Sequence, residues 1–167
     1  MGVYYYYVNL TKKEKFCIDA LGGNLRHRAL GRTLASRAFH LMLNYANGRW
    51  VGDYVAVMGD DNTPDWSHLS DKLTDIDAIV ILTLFYVDGF KEIGEIAKHD
   101  RYLFMQLCHL VVTRQALELE PSLKEYFGSN YLKKYKDLCQ ESNWHHPKDL
   151  TLAENEPLFP KRPKGVL

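Results

Sequence analysis

The interior of the chain is organised around residues 48–61, whose sequence is Gly-Arg-Trp-Val-Gly-Asp-Tyr-Val-Ala-Val-Met-Gly-Asp-Asp. Valine and aromatic residues fit a pleated, half-buried surface, so residues 50–58 predict a strand. Gly52 leaves room for another group to approach the backbone. The strand is expected to end at Gly59, and the aspartate-rich residues 60–65 are typical of a turn.

The N-terminus predicts a β-hairpin that supplies further strands for this sheet. Residues 3–10 are rich in tyrosine and valine, residues 11–14 are polar, and residues 15–18 resume the apolar pattern. Side chains alternate along a strand, so Tyr4 and Tyr6 should point to one face and Tyr5 and Tyr7 to the other. Both faces are then aromatic. This predicts either a covered sheet or an aromatic face offered to a partner.

A long amphipathic helix is predicted over residues 25–45, because apolar residues recur there at helical spacing. Asn24 is a suitable N-cap, and Gly48 is a suitable stop. Arg26 and Arg28 lie near the predicted helix start, where positive charge opposes the helix dipole and calls for a nearby acid or a bound anion. A second interpretation is that the stems of the helix arginines cover the edges of its buried stripe.

The rest of the chain predicts helices followed by an extended tail. Residues 76–87 fit either a buried helix or a central strand, and we predict a helix because residues 74–77 resemble a capping sequence. Further helices are expected over residues 90–98, 101–119 and 122–140. The fold class is therefore α+β, with a small antiparallel sheet packed against the long helix and a helical C-terminal half. We expect one domain over residues 1–145 and an extended proline-rich tail over residues 146–167.

Composition narrows the classes of function. Lysine plus arginine equals aspartate plus glutamate at 21 each, which weakens a role in wholesale binding to nucleic acid or anionic membranes. The three cysteines are widely spaced and indicate neither a zinc ribbon nor a redox dithiol. The N-terminus does not have the pattern of a secretory signal, and the longest apolar run is too short to cross a bilayer. We expect a soluble, intracellular protein without a membrane partner.

The string Tyr-Val-Ala-Val-Met-Gly-Asp-Asp, residues 54–61, resembles the aspartate hairpin of viral RNA-dependent polymerases. In that family two carboxylates at a turn between strands hold the magnesium ions used for phosphoryl transfer. The resemblance covers eight residues, and the remaining parts of such an enzyme do not fit in 167 residues. It therefore implies no polymerase, but it makes Asp60 and Asp61 a candidate cation site.

Two hypotheses of function follow. No cofactor is predicted for either, and a metal ion enters only the second. The first is a non-catalytic interaction or structural protein, such as a subunit of a larger assembly. It would dock on a protein partner or a second copy through aromatic residues and the tail; the predicted interaction residues are Tyr5, Tyr7, Trp144 and Phe159. The motivation is an aromatic fraction of 13% and the absence of catalytic spacing, so no catalytic residue is assigned.

The alternative is a small phosphate- or nucleotide-binding enzyme acting as a metal-assisted hydrolase. Asn24, Arg26 and Arg28 would hold an anion at the helix start, and Asp60 and Asp61 would supply metal or acid–base function. A weaker third hypothesis is nucleic-acid binding through the arginine-rich helix, which would require a steep salt dependence of affinity.

Overall fold

The structure is a computed structural model that describes residues 4–18, 21–22, 33–44, 48–61 and 63–142. It divides the chain into two compact units, Met1–Thr83 and Leu84–Asp149, together with a C-terminal segment outside the described residues. The α+β class is confirmed, since the described residues form a four-stranded sheet and seven α-helices. The expected single domain over residues 1–145 stays a prediction. The tail of residues 146–167 lies outside the described residues.

The first unit contains the whole sheet. Its strands are β1 (Tyr5–Asn9), β2 (Glu14–Phe16), β3 (Val55–Gly59) and β4 (Thr74–Asp75), in the spatial order β3-β1-β2-β4. Strand β1 pairs antiparallel with both β2 and β3, which confirms the hairpin and its pairing with the interior strand. Strand β4 was not predicted, and it pairs parallel to β2. The sheet is therefore mixed instead of purely antiparallel.

The interior strand begins at Val55, so the prediction that it starts at Trp50 is wrong. Residues 49–53 form turns, in which the Trp50 amide donates to the carbonyl of Met42 at 2.8 Å. Gly52 has a φ of +79°, which breaks the extended backbone before the strand starts. The tryptophan of this stretch is explained by burial, since Trp50 is 0% exposed, and not by strand pairing.

The helix before this strand is shorter than expected. Helix α1 covers Leu34–Met42, and its N-cap is Thr33, whose side chain accepts a hydrogen bond from the Ser36 amide at 3.1 Å. The backbone of Thr33 is extended, so one continuous helix over residues 25–45 is wrong at this position. Threonine competes well for a cap because its hydroxyl satisfies an otherwise orphan amide. Residues 23–32 and 45–47 lie outside the described residues.

Helix α1 and one face of the sheet share an aromatic core. Tyr7 stacks on Phe16 and Phe39 with ring centroids 4.9 and 4.6 Å apart. Trp50 lies against the same two phenylalanines at 5.6 and 6.2 Å. Aromatic pairs at these separations add stabilisation beyond the apolar area they bury. The tyrosine-rich strand therefore forms the centre of the first unit.

The second unit contains only helices among its described residues. The prediction of a helix over residues 76–87 is confirmed by α3 (Asp77–Asp88), within which the boundary between the units falls. It is followed by α4 (Lys91–His99), α5 (Arg101–Val112), a 3-10 helix (Leu117–Leu119), α6 (Glu120–Phe127) and α7 (Tyr131–Ser142). The helical C-terminal half is thus confirmed. Within the described residues, no helix has both the length and the apolar character needed to span a membrane.

The ends of these helices follow from local chemistry. Helix α5 stops at Val112 and not at Leu119 as expected, because Arg114 takes a φ of +59° and breaks the helix. Pro121 opens α6, where a missing amide proton has no cost. Gly128, with a φ of +85°, separates α6 from α7. The predicted helix over residues 122–140 is therefore two helices.

Candidate interaction surface

The two faces of β1 have different surroundings. Tyr5 and Tyr7, the predicted interaction residues of this strand, lie in the core at 7% and 3% exposure. Burial raises the pKa of the Tyr7 phenol, although its bond to the Ser36 hydroxyl (3.3 Å) acts in the opposite direction. The alternation of the tyrosines is the expected one. The surface tyrosine of this strand region is Tyr4, at 44% exposure, on the opposite face.

The face that carries Tyr4 continues onto the outer strand β3. Met58 lies opposite Tyr6 and Ala56 lies opposite Val8, so these residues share one face of the sheet. Tyr54, just before β3, follows the same alternation and is 72% exposed. We define the β3 surface as this partly exposed strip together with Trp66, whose ring lies 4.6 Å from that of Tyr6. Its members are Tyr4, Tyr6, Tyr54, Ala56, Met58 and Trp66.

Strand β3 is also a sheet edge, because it occupies one end of the strand order. Tyr54 accepts at its carbonyl from Leu10 at 2.9 Å, and the Asp60 amide donates to the Tyr4 carbonyl at 3.0 Å. Backbone groups alternate along a strand, so the amides and carbonyls of Val55 and Val57 point away from β1. No other described strand pairs with this edge. The Val57 side chain, on the opposite face, is 42% exposed.

An acidic corner, defined as Asp60, Asp61 and Asp65, follows the end of β3. The Asp60 carboxylate accepts the Tyr4 amide at 3.0 Å, which fixes its place beside the start of β1. Asp61 and Asp65 are exposed. None of these carboxylates forms an ion pair with a cation in the described part of the chain. Within the described ranges, the corner therefore carries negative charge that no cation pairs with, next to an apolar strip.

The acidic corner differs from the arrangement that the polymerase resemblance implied. In the structure, β3 leads into the short helix α2 (Trp66–Ser70) and not into a second strand of a hairpin. Among the described residues, no three histidine, cysteine, aspartate or glutamate side chains are grouped to hold a metal ion. The resemblance thus ends with the local string of residues.

Lys15 holds Trp66 against the sheet. Its ammonium donates to the Ser70 carbonyl at 3.1 Å and to the Ser70 hydroxyl. The same ammonium lies 5.7 Å from the centroid of the Tyr6 ring and 6.0 Å from that of Trp66. Cations are attracted to aromatic faces at this separation. The C-terminal end of helix α2 is therefore bonded to Lys15 of β2, and Trp66 at its start becomes part of the β3 surface.

The buried carboxylate of Glu14 is a structural anchor. It accepts hydrogen bonds from the Arg49 guanidinium, with Nε 3.2 Å from both oxygens, and from the Trp50 indole at 2.7 Å. Glu14 is 7% exposed, so both donors compensate for taking its charge out of water. This cluster was not predicted. Glu14 lies two residues before Phe16 in β2, so both side chains share one face of the strand. A glutamate on the same strand face as a core phenylalanine is the signal that could have indicated this cluster.

A second polar cluster joins the hairpin turn to the loop before β3. Asp53 accepts from the Lys12 ammonium and from the Asn9 amide group, the latter at 2.7 Å. The bond from Lys12 is the main cause that lowers the pKa of the Asp53 carboxyl, and the Asn9 bond acts in the same direction. Asn9 also accepts the Lys12 backbone amide at 2.8 Å. The carboxylates of Glu14 and Asp53 are thus both hydrogen-bonded to other side chains of the chain, which is typical of structural groups.

The remaining predicted site residues lie outside the described residues. Asn24, Arg26 and Arg28, assigned to the anion site of the alternative hypothesis, belong to this set, as do the interaction residues Trp144 and Phe159. The alternative enzyme therefore stays a prediction. No observation on the described residues brings Asp60 and Asp61 together with an arginine.

Cys108 and Tyr135 are buried groups of the second unit. Cys108 is fully buried, and burial raises the pKa of its thiol to about 12. A thiol in such surroundings is unreactive because the thiolate is the nucleophile, which agrees with its interpretation as a small core residue. The Tyr135 hydroxyl lies 3.3 Å from Nδ1 of His109. Desolvation also raises the pKa of Tyr135.

Comparisons with protein-family models, with curated proteins and with solved structures find no match to this chain.

Proposed function

We propose that this protein is a non-catalytic interaction protein that binds an extended segment of a partner protein along the outer edge of β3. One observation carries the proposal: the backbone groups of Val55 and Val57 point outward from an uncharged edge strand. Such an edge is a template for another strand, and natural proteins protect long free edges with charges, proline or a covering element. Strand β3 contains neither charge nor proline among its residues, Val-Ala-Val-Met-Gly.

Addition of a strand explains both the backbone edge and the side chains around it. Main-chain hydrogen bonds to Val55 and Val57 would supply affinity, and side chains of the added strand would contact the exposed apolar residues of β3. Tyrosine and tryptophan beside the edge suit such contacts, because they give large areas at a small loss of conformational freedom. The proposal therefore moves the predicted docking from Tyr5 and Tyr7 to the opposite face.

The test uses Val57→Pro in the full-length chain, with Val57→Thr as the matched control. Proline removes the outward amide and is tolerated on a free strand edge, while threonine keeps the amide and the β-branched shape. The unchanged full-length chain, used as bait, and its Val57→Thr variant should capture the same set of proteins. The Val57→Pro variant should capture these proteins at least tenfold less. This is the ratio expected when about 1.4 kcal/mol of hydrogen bonding at the edge is removed. Equal capture by both variants, with unchanged circular dichroism, would refute docking through this edge.

A further inference from the structure

We propose that the C-terminal segment of this same chain, residues 157–164, docks on the aromatic face of the β3 surface. Its basic side chains would lie against the acidic corner. The inference rests on the proposed docking surface and adds a means of regulation, since the segment would compete with the partner protein. Two independent features of the described residues point to this occupant: the aromatic strip and the uncompensated negative charge at its end.

The aromatic strip suits a proline-rich ligand. Tyr54 stands at one end of the strip at 72% exposure, and the Tyr6–Trp66 ring pair lies nearer the other end. Aromatic-lined surfaces bind polyproline II segments, because the ligand is already extended and loses little entropy on docking. Only one segment of this chain has prolines at a regular spacing of three, namely Pro157, Pro160 and Pro163.

The spacing of these prolines matches the length of the strip. A polyproline II helix has three residues per turn, so the three prolines fall on one ridge. At about 3.1 Å per residue the ridge is roughly 19 Å long. The strip from Tyr54 to Asp60 spans roughly 20 Å at about 3.3 Å per residue. The segment can therefore lie along β3 with its first proline near Tyr54 and its last near Asp60.

Charge complementarity fixes the direction in which the segment would lie. Lys161, Arg162 and Lys164 fall at the end of the ridge that would meet the acidic corner. The acidic corner therefore favours a basic segment as the occupant.

A linker joins the last described helix to the proposed docking segment. Residues between Ser142 and Pro157 can extend up to roughly 50 Å at about 3.3 Å per residue. A tethered segment also acts at an effective concentration on the order of millimolar, so even weak contacts would hold it in place. The segment would then be released only by a partner that binds the same surface more tightly.

The test is carbodiimide cross-linking of the full-length chain, which joins a carboxylate to an amine in direct contact. We expect links from the acidic corner to Lys161 or Lys164, mapped by mass spectrometry. Mixing isotopically labelled with unlabelled protein separates links within one chain from links between chains. Tyr54→Ser should lower the yield of these links about threefold or more, because it removes the aromatic contact while the backbone bonds of residue 54 remain. The control is Tyr102→Ser, which removes a tyrosine of 43% exposure from the second unit and should leave the yield unchanged.

The outcomes also separate this inference from the proposed function. Links within one chain that weaken in Tyr54→Ser support tail docking, whatever Val57→Pro does to partner capture. Links spread evenly over other exposed carboxylates, links formed only between chains, or an equal yield in Tyr54→Ser would overturn it. In each of those cases a loss of partner capture in Val57→Pro would leave the docking edge itself intact.

Discussion

Replacing Arg49 by methionine should destabilise the first unit strongly. The change removes every guanidinium donor to the Glu14 carboxylate. The Trp50 indole, 2.7 Å away, still donates to it. Removing one partner of a buried ion pair costs about 3–5 kcal/mol because the other charge stays buried. The Arg49 side chain is 25% exposed, so water can partly replace it, and we expect a loss of about 2–3 kcal/mol. For a chain of this size, the melting temperature should fall by roughly 4–12 °C.

The second variant of the series, Glu14→Gln with Arg49→Met, identifies the cause of this loss. Glutamine still accepts from the indole but carries no charge, so the double variant should lose less than Arg49→Met alone, by about 1 kcal/mol or more. Hydrogen exchange of the β1 amides measures opening of this unit specifically. If Arg49→Met lies within about 0.5 kcal/mol of the parent, or the double variant is the less stable, the argument from a buried carboxylate is wrong.

Two further changes test other parts of the structure. Gly94→Ala should destabilise the second unit by about 1–3 kcal/mol in urea denaturation, because the new Cβ would lie 2.5 Å from a ring carbon of Phe90. If the double variant Gly94→Ala, Phe90→Leu loses as much stability as the sum of the two single variants, the steric explanation fails. Asp53→Asn should cost about 1 kcal/mol at pH 7 and less at pH 3, because the lowered pKa of Asp53 gives stability that is present above its unfolded pKa of about 4 and lost as pH falls through its folded pKa. An equal cost at both pH values would contradict this.

Local signals predicted most of the elements in the described chain. The hairpin over β1 and β2, the interior strand, and the helix Asp77–Asp88 follow from side-chain periodicity and capping residues. The errors fall where tertiary structure overrides the pattern. The sequence pattern predicts that Trp50 belongs to a strand. In the structure it packs against Glu14, Phe16 and Phe39, which come from other parts of the sequence. The two-residue strand β4 has no apolar pattern of its own and depends on pairing with β2.

The candidate surface could be predicted only in part, for a related reason. Alternation along β1 separates Tyr5 and Tyr7 from Tyr4 and Tyr6, but it does not say which pair is buried. That choice depends on the position of helix α1, because Phe39 of α1 stacks on Tyr7 and encloses that face. The other pair, exposed Tyr4 and half-buried Tyr6, then lies beside β3, whose edge position depends on the strand order. A single sequence carries little information about either feature.

Burial of Tyr5 and Tyr7 leaves the aromatic residues of the sheet that are available for binding on the opposite face, where Tyr4 and Tyr54 are exposed. With Phe39 of α1 covering Tyr7, strand β3 keeps an uncharged edge and a strip of partly exposed apolar side chains. Such an edge can pair with any free strand, and the residues that flank it are acidic rather than basic. Negative charge at Asp60 and Asp61 attracts an extended segment that is basic. The same carboxylates that the sequence indicated as a cation site therefore fit a role in selecting a basic segment of protein.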